Sequence, residues 1–292
     1  MIKGILILAI LIAFVGGARA HSEHQSAGFV EENQLSIPVG DKAAGGITEA
    51  QFNRVIDRVS ELHRDEVTDA GGELMVERKW SDGTVNAYAK QKNGKWILAM
   101  FGGLARHPDI TEDGFALVVC HELGHHIGGA PKKIKSNTPL YWASNEGQSD
   151  QYGLQRCLRK YFNSYSNGQS YFGRKFEQQT RLCRKSWSNS EDIKVCIRGL
   201  LAGKSVGNLF TSLRNLSQAP GYETPSKEIV SRTYDGHPMP QCRLDTFVRA
   251  ALCTHDYYQR LSNTDASKGF CMRSNGEERG ARPLCWYKPS DL

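Results

Sequence analysis

Two histidines four residues apart bracket a glutamate in His121-Glu122-Leu123-Gly124-His125, and this spacing constrains the fold more than any other feature of the chain. On an α-helix such residues lie about 40° apart around the axis, so both imidazoles leave one face and can share a cation. Glu122 lies about 100° from His121, beside that face rather than on it. The flanking sequence suits a helix. Thr111 stands where an N-cap is needed, and Glu112 and Asp113 follow in the first turn. Phe115, Val118, Val119 and Leu123 supply an apolar side, and Gly128-Gly129 before Pro131 ends the run. His126 falls about 140° round the helix from His121 and is expected to be structural.

A hydrolytic zinc centre takes three ligands from the protein and leaves a fourth position to water. Twenty-one residues after His125 comes Asn145-Glu146-Gly147-Gln148-Ser149-Asp150, at the start of a helix expected from about Ser144. Glu146 and Asp150 again share a face. Glu146 is therefore expected to be the third ligand after His121 and His125, and Asp150 to accept the free N–H of a ligand histidine. The donor set implies one Zn2+ per chain, because zinc suits imidazole and carboxylate and lowers the pKa of bound water to about 7. Glu122 is placed to act on that water as general base.

Residues 1–20 begin with Lys3, run apolar and uncharged from Gly4 to Gly17, and end in Ala18-Arg19-Ala20, the form of a secretory signal cleaved before His21. The apolar run is short for a bilayer span, and no later segment is apolar enough for one. Export to a periplasm or to the medium is expected, without stable membrane insertion. Eight cysteines with no CxxC pair then read as up to four disulfides of an oxidising compartment. A Cys242–Cys253 bridge is disfavoured, because on one helix those sulfurs would stand about 16 Å apart. The net charge of +6 falls to +4 without Lys3 and Arg19, too small an excess for a nucleic-acid partner. Eight of the cations lie between Arg156 and Lys185 with Glu177 the single acid, a stretch read as a solvated basic face.

The expected organisation is a signal over 1–20, a flexible leader over 21–46, a catalytic core over 47–160, a helical part over 161–253 and a Cys-containing tail over 254–292. Thr48-Glu49-Ala50-Gln51 has the capping-box form, and Phe52, Val55, Ile56, Val59 and Leu62 recur on one face of a helix expected over 49–63. Strand-like runs over 73–80, 84–90 and 95–101 are separated by Asp82-Gly83 and Asn93-Gly94, which predicts a three-stranded antiparallel meander. A second capping box at Ser188–Glu191 opens a helix reaching Leu213, and a further helix over 241–252 carries Arg243. The fold class expected is α+β: a small antiparallel sheet against the helix bearing the histidines, then a mainly helical part tied by disulfides.

The order HExxH, short connection and NExxSD-like helix resembles the gluzincin metallopeptidases, and NEGQSDQYG is similar to the thermolysin form of the second motif. Asn86-Ala87-Tyr88, Gly102-Gly103-Leu104, and His237-Pro238 followed by Arg243 resemble segments of the HtpX and CAAX prenyl protease family. The interval from His125 to Glu146 is short for the HtpX type and closer to thermolysin, and a soluble, exported relative is the better comparison. The resemblance covers roughly residues 84–160 and 235–253. It implies a zincin-like fold and a zinc metalloendopeptidase that hydrolyses polypeptides. Substrate would add as a strand beside residues 86–89, held by Asn86 and Ala87; His237 would donate to the oxyanion, and Arg243 would hold the site carboxylates in place. Two other readings of the same residues stay open. One is a zinc hydrolase acting on a cell-wall polymer; the other is a binding or chaperone module in which zinc is structural.

Overall fold

Thr48 accepts the Gln51 N–H while the Gln51 side chain accepts the Thr48 N–H, so α1 (Glu49–Asp69) begins where the capping box requires. The helix continues past residue 63 and buries Phe52, Val55, Ile56, Val59 and Val67. The computed structural model describes residues 27–134 and 142–290; the signal segment and the leader up to residue 26 lie outside them. Near the end of α1, Glu66 accepts hydrogen bonds from His63 Nδ1 at 3.0 Å and Lys160 Nζ at 2.7 Å. Burial acts to raise this carboxyl, but the His63 and Lys160 contacts outweigh it and bring it from 4.5 down to about 2. A depressed carboxylate stabilises the fold above its ordinary pKa and loses that contribution as pH falls through the lower value. Glu66→Gln is accordingly expected to lower the denaturant midpoint at pH 6, with the deficit shrinking between pH 4.5 and about 2. A deficit that stays constant over that window would assign the effect to packing instead.

The sheet comprises β1 (Ala27–Gly28), β2 (Glu73–Lys79), β3 (Ala87–Lys92) and β4 (Lys95–Phe101) in the order β1-β3-β4-β2. Asn93 and Gly94 both take positive φ, 52° and 75°, and close the β3–β4 hairpin that their sequence predicts. The expected antiparallel meander fails at its first turn. β2 runs parallel to β4 along its far side, so the sheet is mixed. Asp82-Gly83 makes no hairpin: the Asp82 carboxylate accepts the Thr84 N–H and hydroxyl, and Gly83 does not adopt a left-handed φ. The Arg106 guanidinium then gathers the carbonyls of Ile37, Trp80 and Asp82, which carries the connection across the end of β4 instead of folding β2 back.

The described part of the leader packs against the core. Phe29, Val30 and Ile37 are buried, Ser36 bridges to Thr84, and the Ile37 N–H bonds the Gly83 carbonyl. Single apolar residues without a period leave no pattern in the sequence, yet each of these fills a slot in the core.

The remaining helices are α2 (Gly102–Arg106), α3 (Glu112–Ile127), α4 (Glu146–Tyr152), α5 (Arg159–Ser164), α6 (Glu177–Cys183), α7 (Ser190–Leu213) and α8 (Pro240–Leu252), with a π-helical turn (Gly153–Leu158) between α4 and α5. α3 carries the paired histidines and is the centre of the molecule. Every residue from Gly114 to His126 is buried, because α1, α4, α7, the π-turn and the sheet surround it, where the sequence pattern suggests a single buried side. α7 is capped by Asn189, which accepts the Asp192 N–H, one residue later than the Ser188 capping box implies.

Four disulfides join Cys120 to Cys157, Cys183 to Cys196, Cys242 to Cys285 and Cys253 to Cys271. Cys242 and Cys253 are not paired with each other. The tail is part of the core: Trp286 is fully buried and donates to Thr246 Oγ1, and buried Arg282 donates to Gln148 Oε1 at 2.7 Å. The start of the basic stretch departs from a solvated face. Arg156 binds the carbonyls of Asp256 and Gly269, Arg159 those of Cys253 and His255, and Lys160 that of Leu62, so these cations satisfy internal backbone acceptors. No helix among the described residues is long and apolar enough to cross a membrane.

Candidate metal centre

Thr111 accepts the Gly114 N–H and fixes the start of α3, and Asn145 accepts the Gln148 N–H and fixes the start of α4. These caps set the two helices so that His121 and His125 face Glu146 and Asp150. Close approach is possible because Gly124 of α3 meets Ser149 and Tyr152 of α4, and Gly147 of α4 leaves room for Trp286, whose ring carbons a Cβ there would meet at 2.2 Å.

His121 Nδ1 lies 2.8 Å from Asp150 Oδ1. A carboxylate only accepts, so this nitrogen carries the proton and Nε2 faces Glu146 Oε2 at 3.2 Å. Likewise His125 Nδ1 donates to the Ser144 carbonyl at 2.8 Å, with Ser149 Oγ at 3.0 Å. His125 Nε2 is then a bare acceptor, 3.7 Å from Glu146 Oε1, buried and without a hydrogen-bond partner. Two imidazole lone pairs thus converge on one carboxylate, an arrangement that needs a proton or a cation between the acceptors. Donor atoms of His121, Glu122 and His125 all lie within 4.8 Å of one another, and these residues could hold a metal ion.

Without a metal, a proton on His121 Nε2 fills that gap. Burial acts to lower His121, but Asp150 and Glu146 outweigh it and raise the imidazole to about 9. Burial drives His125 well below 6.5. Burial would raise Glu146 and Asp150; Lys133, His125 and His237 instead hold Glu146 well below the usual carboxylate range, and Arg243 and His121 lower Asp150. Glu122 differs. Both its oxygens are buried with no partner, and burial pushes its carboxyl up to about 8.

The more distant candidates reach the same place. Arg243 grips Asp150 with Nε and Nη2, both at 2.7 Å, and its Nη1 donates to the Phe29 carbonyl. His237 Nε2 lies 3.4 Å from Glu146 Oε2 and donates to the Gly28 carbonyl at 2.7 Å. Burial lowers its pKa, so the ring is a neutral donor. Asn86 is buried and Ala87 begins β3, and both engage the main chain of residues 29 and 30. His126 stands apart from the cluster, stacked between Trp96 and Trp142, as a structural residue does.

No protein-family model matches the chain, and neither does any curated protein or solved structure.

Three participants escape sequence reasoning. Lys133 Nζ sits 2.6 Å from Glu146 Oε1, Ser149 meets His125, and Phe29 packs edge-on against His121 with ring centroids 4.9 Å apart. Ser149 lies inside the second motif and could have been found as the residue one helical turn on from Asn145. Lys133 and Phe29 carry no spacing signal. A second group of donors, His255, Cys271 and Glu277, is not a competing centre, because the Cys271 sulfur is bonded to Cys253.

Proposed function

We propose that this chain is an exported zinc metalloendopeptidase of the gluzincin type, with His121, His125 and Glu146 as ligands. The observation that carries the proposal is the pair of Nε2 atoms whose Nδ1 partners, Asp150 and the Ser144 carbonyl, fix both tautomers so that the free lone pairs meet at Glu146. Tetrahedral zinc bonds of about 2.0–2.1 Å set neighbouring donors about 3.3 Å apart, close to the separations of 3.2 and 3.7 Å found here. The orphaned Glu122 carboxylate supports a catalytic rather than a structural centre, since a purely structural site has no use for a buried, unpartnered acid. Four disulfides support export to an oxidising compartment.

Bound zinc supplies Lewis acidity toward a carbonyl and toward a water. Glu122 would take a proton from the attacking water and pass it to the leaving nitrogen. His237 Nε2, neutral and carrying its proton, donates to the carbonyl oxygen as negative charge develops there. Asn86 and the Ala87 carbonyl hold the main chain of a peptide laid along β3, whatever its side chains. Arg243 acts through Asp150 as a positioning residue for His121.

The purified protein is expected to contain zinc at one ion per chain and to hydrolyse casein, with hydrolysis abolished by a chelator and restored by zinc. Elemental analysis alongside a casein assay checks both halves. Absence of stoichiometric zinc would remove the basis of the proposal, and zinc without peptide cleavage would leave a metal-stabilised module or a hydrolase of another polymer.

A further inference from the structure

The edge of β3 nearest the histidines is already occupied by the chain itself. Ala27 and Gly28 pair antiparallel with Ala89 and Tyr88, and the Phe29 N–H donates to the Ala87 carbonyl at 2.9 Å. The Asn86 side chain then continues the ladder, accepting the Val30 N–H and donating to the Val30 carbonyl, both at 3.2 Å. Across this strand the Gly28 carbonyl accepts from His237 Nε2, and the Phe29 carbonyl accepts from Arg243 Nη1, each at 2.7 Å. The Phe29 ring lies against His121 and Phe210, under the Arg243 guanidinium. The strand is tight on β3: a Cβ at Gly28 would meet the Tyr88 ring at 3.1 Å.

Resting on the peptidase reading above, we propose that the Gly28–Phe29 peptide bond is the enzyme's own first substrate, cut within the same molecule. Asn86, Ala87 and His237, the residues assigned to an incoming peptide, all engage residues 28–30. The carbonyl of the bond rests on the oxyanion donor, its N–H is fixed by Ala87, and the next carbonyl is fixed by Arg243. His121, Glu122, His125 and Glu146 are completely buried beneath this arrangement, so a second polypeptide reaches them only after the segment ahead of Phe29 has left. In the reaction the oxygen of water bonds to the Gly28 carbonyl carbon and the Gly28–Phe29 C–N bond breaks. Glu122 carries one water proton to the Phe29 nitrogen and the second follows, leaving a Gly28 carboxylate and a Phe29 ammonium. Asn86 and the Ala87 carbonyl open to a second peptide once Phe29 and Val30, the new N-terminus, lift off β3 as far as Glu31, which is tied to Arg214.

The test is N-terminal sequencing and intact mass of the protein exported from the full-length chain, as wild type and as Glu122→Gln. The wild type is expected to begin at Phe29, and Glu122→Gln to retain residues upstream of it. In wild type purified with chelator, zinc addition should release the upstream segment at a rate unchanged by tenfold dilution, as a reaction within one molecule requires. Amide exchange on the Glu122→Gln protein gives a readout independent of turnover and also reports its folding: the Phe29 and Val30 N–H groups should exchange slowly. Wild type that cleaves casein yet keeps its upstream residues would overturn this inference and leave the peptidase reading intact. The inference also fails if both proteins begin at Phe29, which would assign the cut to another peptidase, or if those two amides exchange rapidly in a folded chain. Zinc-loaded wild type that cuts neither casein nor itself would remove both proposals.

Discussion

Glu122→Gln is expected to lower kcat/KM for peptide hydrolysis by about 100- to 10,000-fold, the usual contribution of a positioned general base, while zinc content stays at one per chain. Glutamine keeps the shape of the side chain but cannot accept and relay a proton. The same substitution is expected to leave thermal stability unchanged or to raise it. A buried carboxyl with two unpartnered oxygens, pushed up to about 8 by burial, is a cost to the fold rather than a support. Fluorogenic-peptide kinetics, elemental analysis and a thermal melt on one preparation separate the alternatives. A variant that keeps wild-type kcat/KM would show that Glu122 is not the base; one that loses zinc or melts early would assign it a structural part.

Arg243→Met is expected to cost about 3–5 kcal/mol of unfolding free energy, the penalty for leaving a buried charge without its partner. Asp150 is fully enclosed and depends on the two-pronged contact from Arg243 and on His121 Nδ1 to stay ionised. Methionine fills much of the arginine volume, so the loss reports charge more than a cavity. The Phe29 carbonyl loses its donor as well. Denaturant titration measures the cost, and adding Asp150→Asn to Arg243→Met should recover part of it by removing the stranded charge. If the single variant loses less than about 1 kcal/mol, Asp150 has another stabilising partner and the proposed chain from Arg243 through Asp150 to His121 is wrong.

The parts of the site that lie within one helix turn were legible in the sequence, because helical spacing is rigid. His121 with His125, and Glu146 with Asp150, needed only the 3.6-residue period to be placed on common faces. Thr111 as cap and Asn93-Gly94 as hairpin were legible for a similar reason, since each depends on its own backbone. What lay across the chain was not. Nothing near β2 specifies that its partner is β4 in parallel register, and Asp82-Gly83 resembles a hairpin turn until the distant Arg106 is in place. The leader read as flexible because Phe29 and Ile37 are isolated apolar residues; Phe29 is received by His121, Phe210 and Arg243, and Ile37 is held by Gly83 and Arg106. Lys133 contacts Glu146 through the packing of a loop, and no local rule anticipates it.

The two bridges that bind Cys285 and Cys271 to α8 have a consequence for biogenesis. Trp286 and Arg282 brace α4, Arg282 from 134 residues beyond its partner Gln148, so the helix bearing Glu146 and Asp150 lacks its backing until that segment has docked. A chain in which this segment has not yet docked therefore holds the His121, His125 and Glu146 cluster on an unsupported helix. On the proposed reading as an exported peptidase, the oxidising conditions that close both bridges would also be the ones that complete the metal centre.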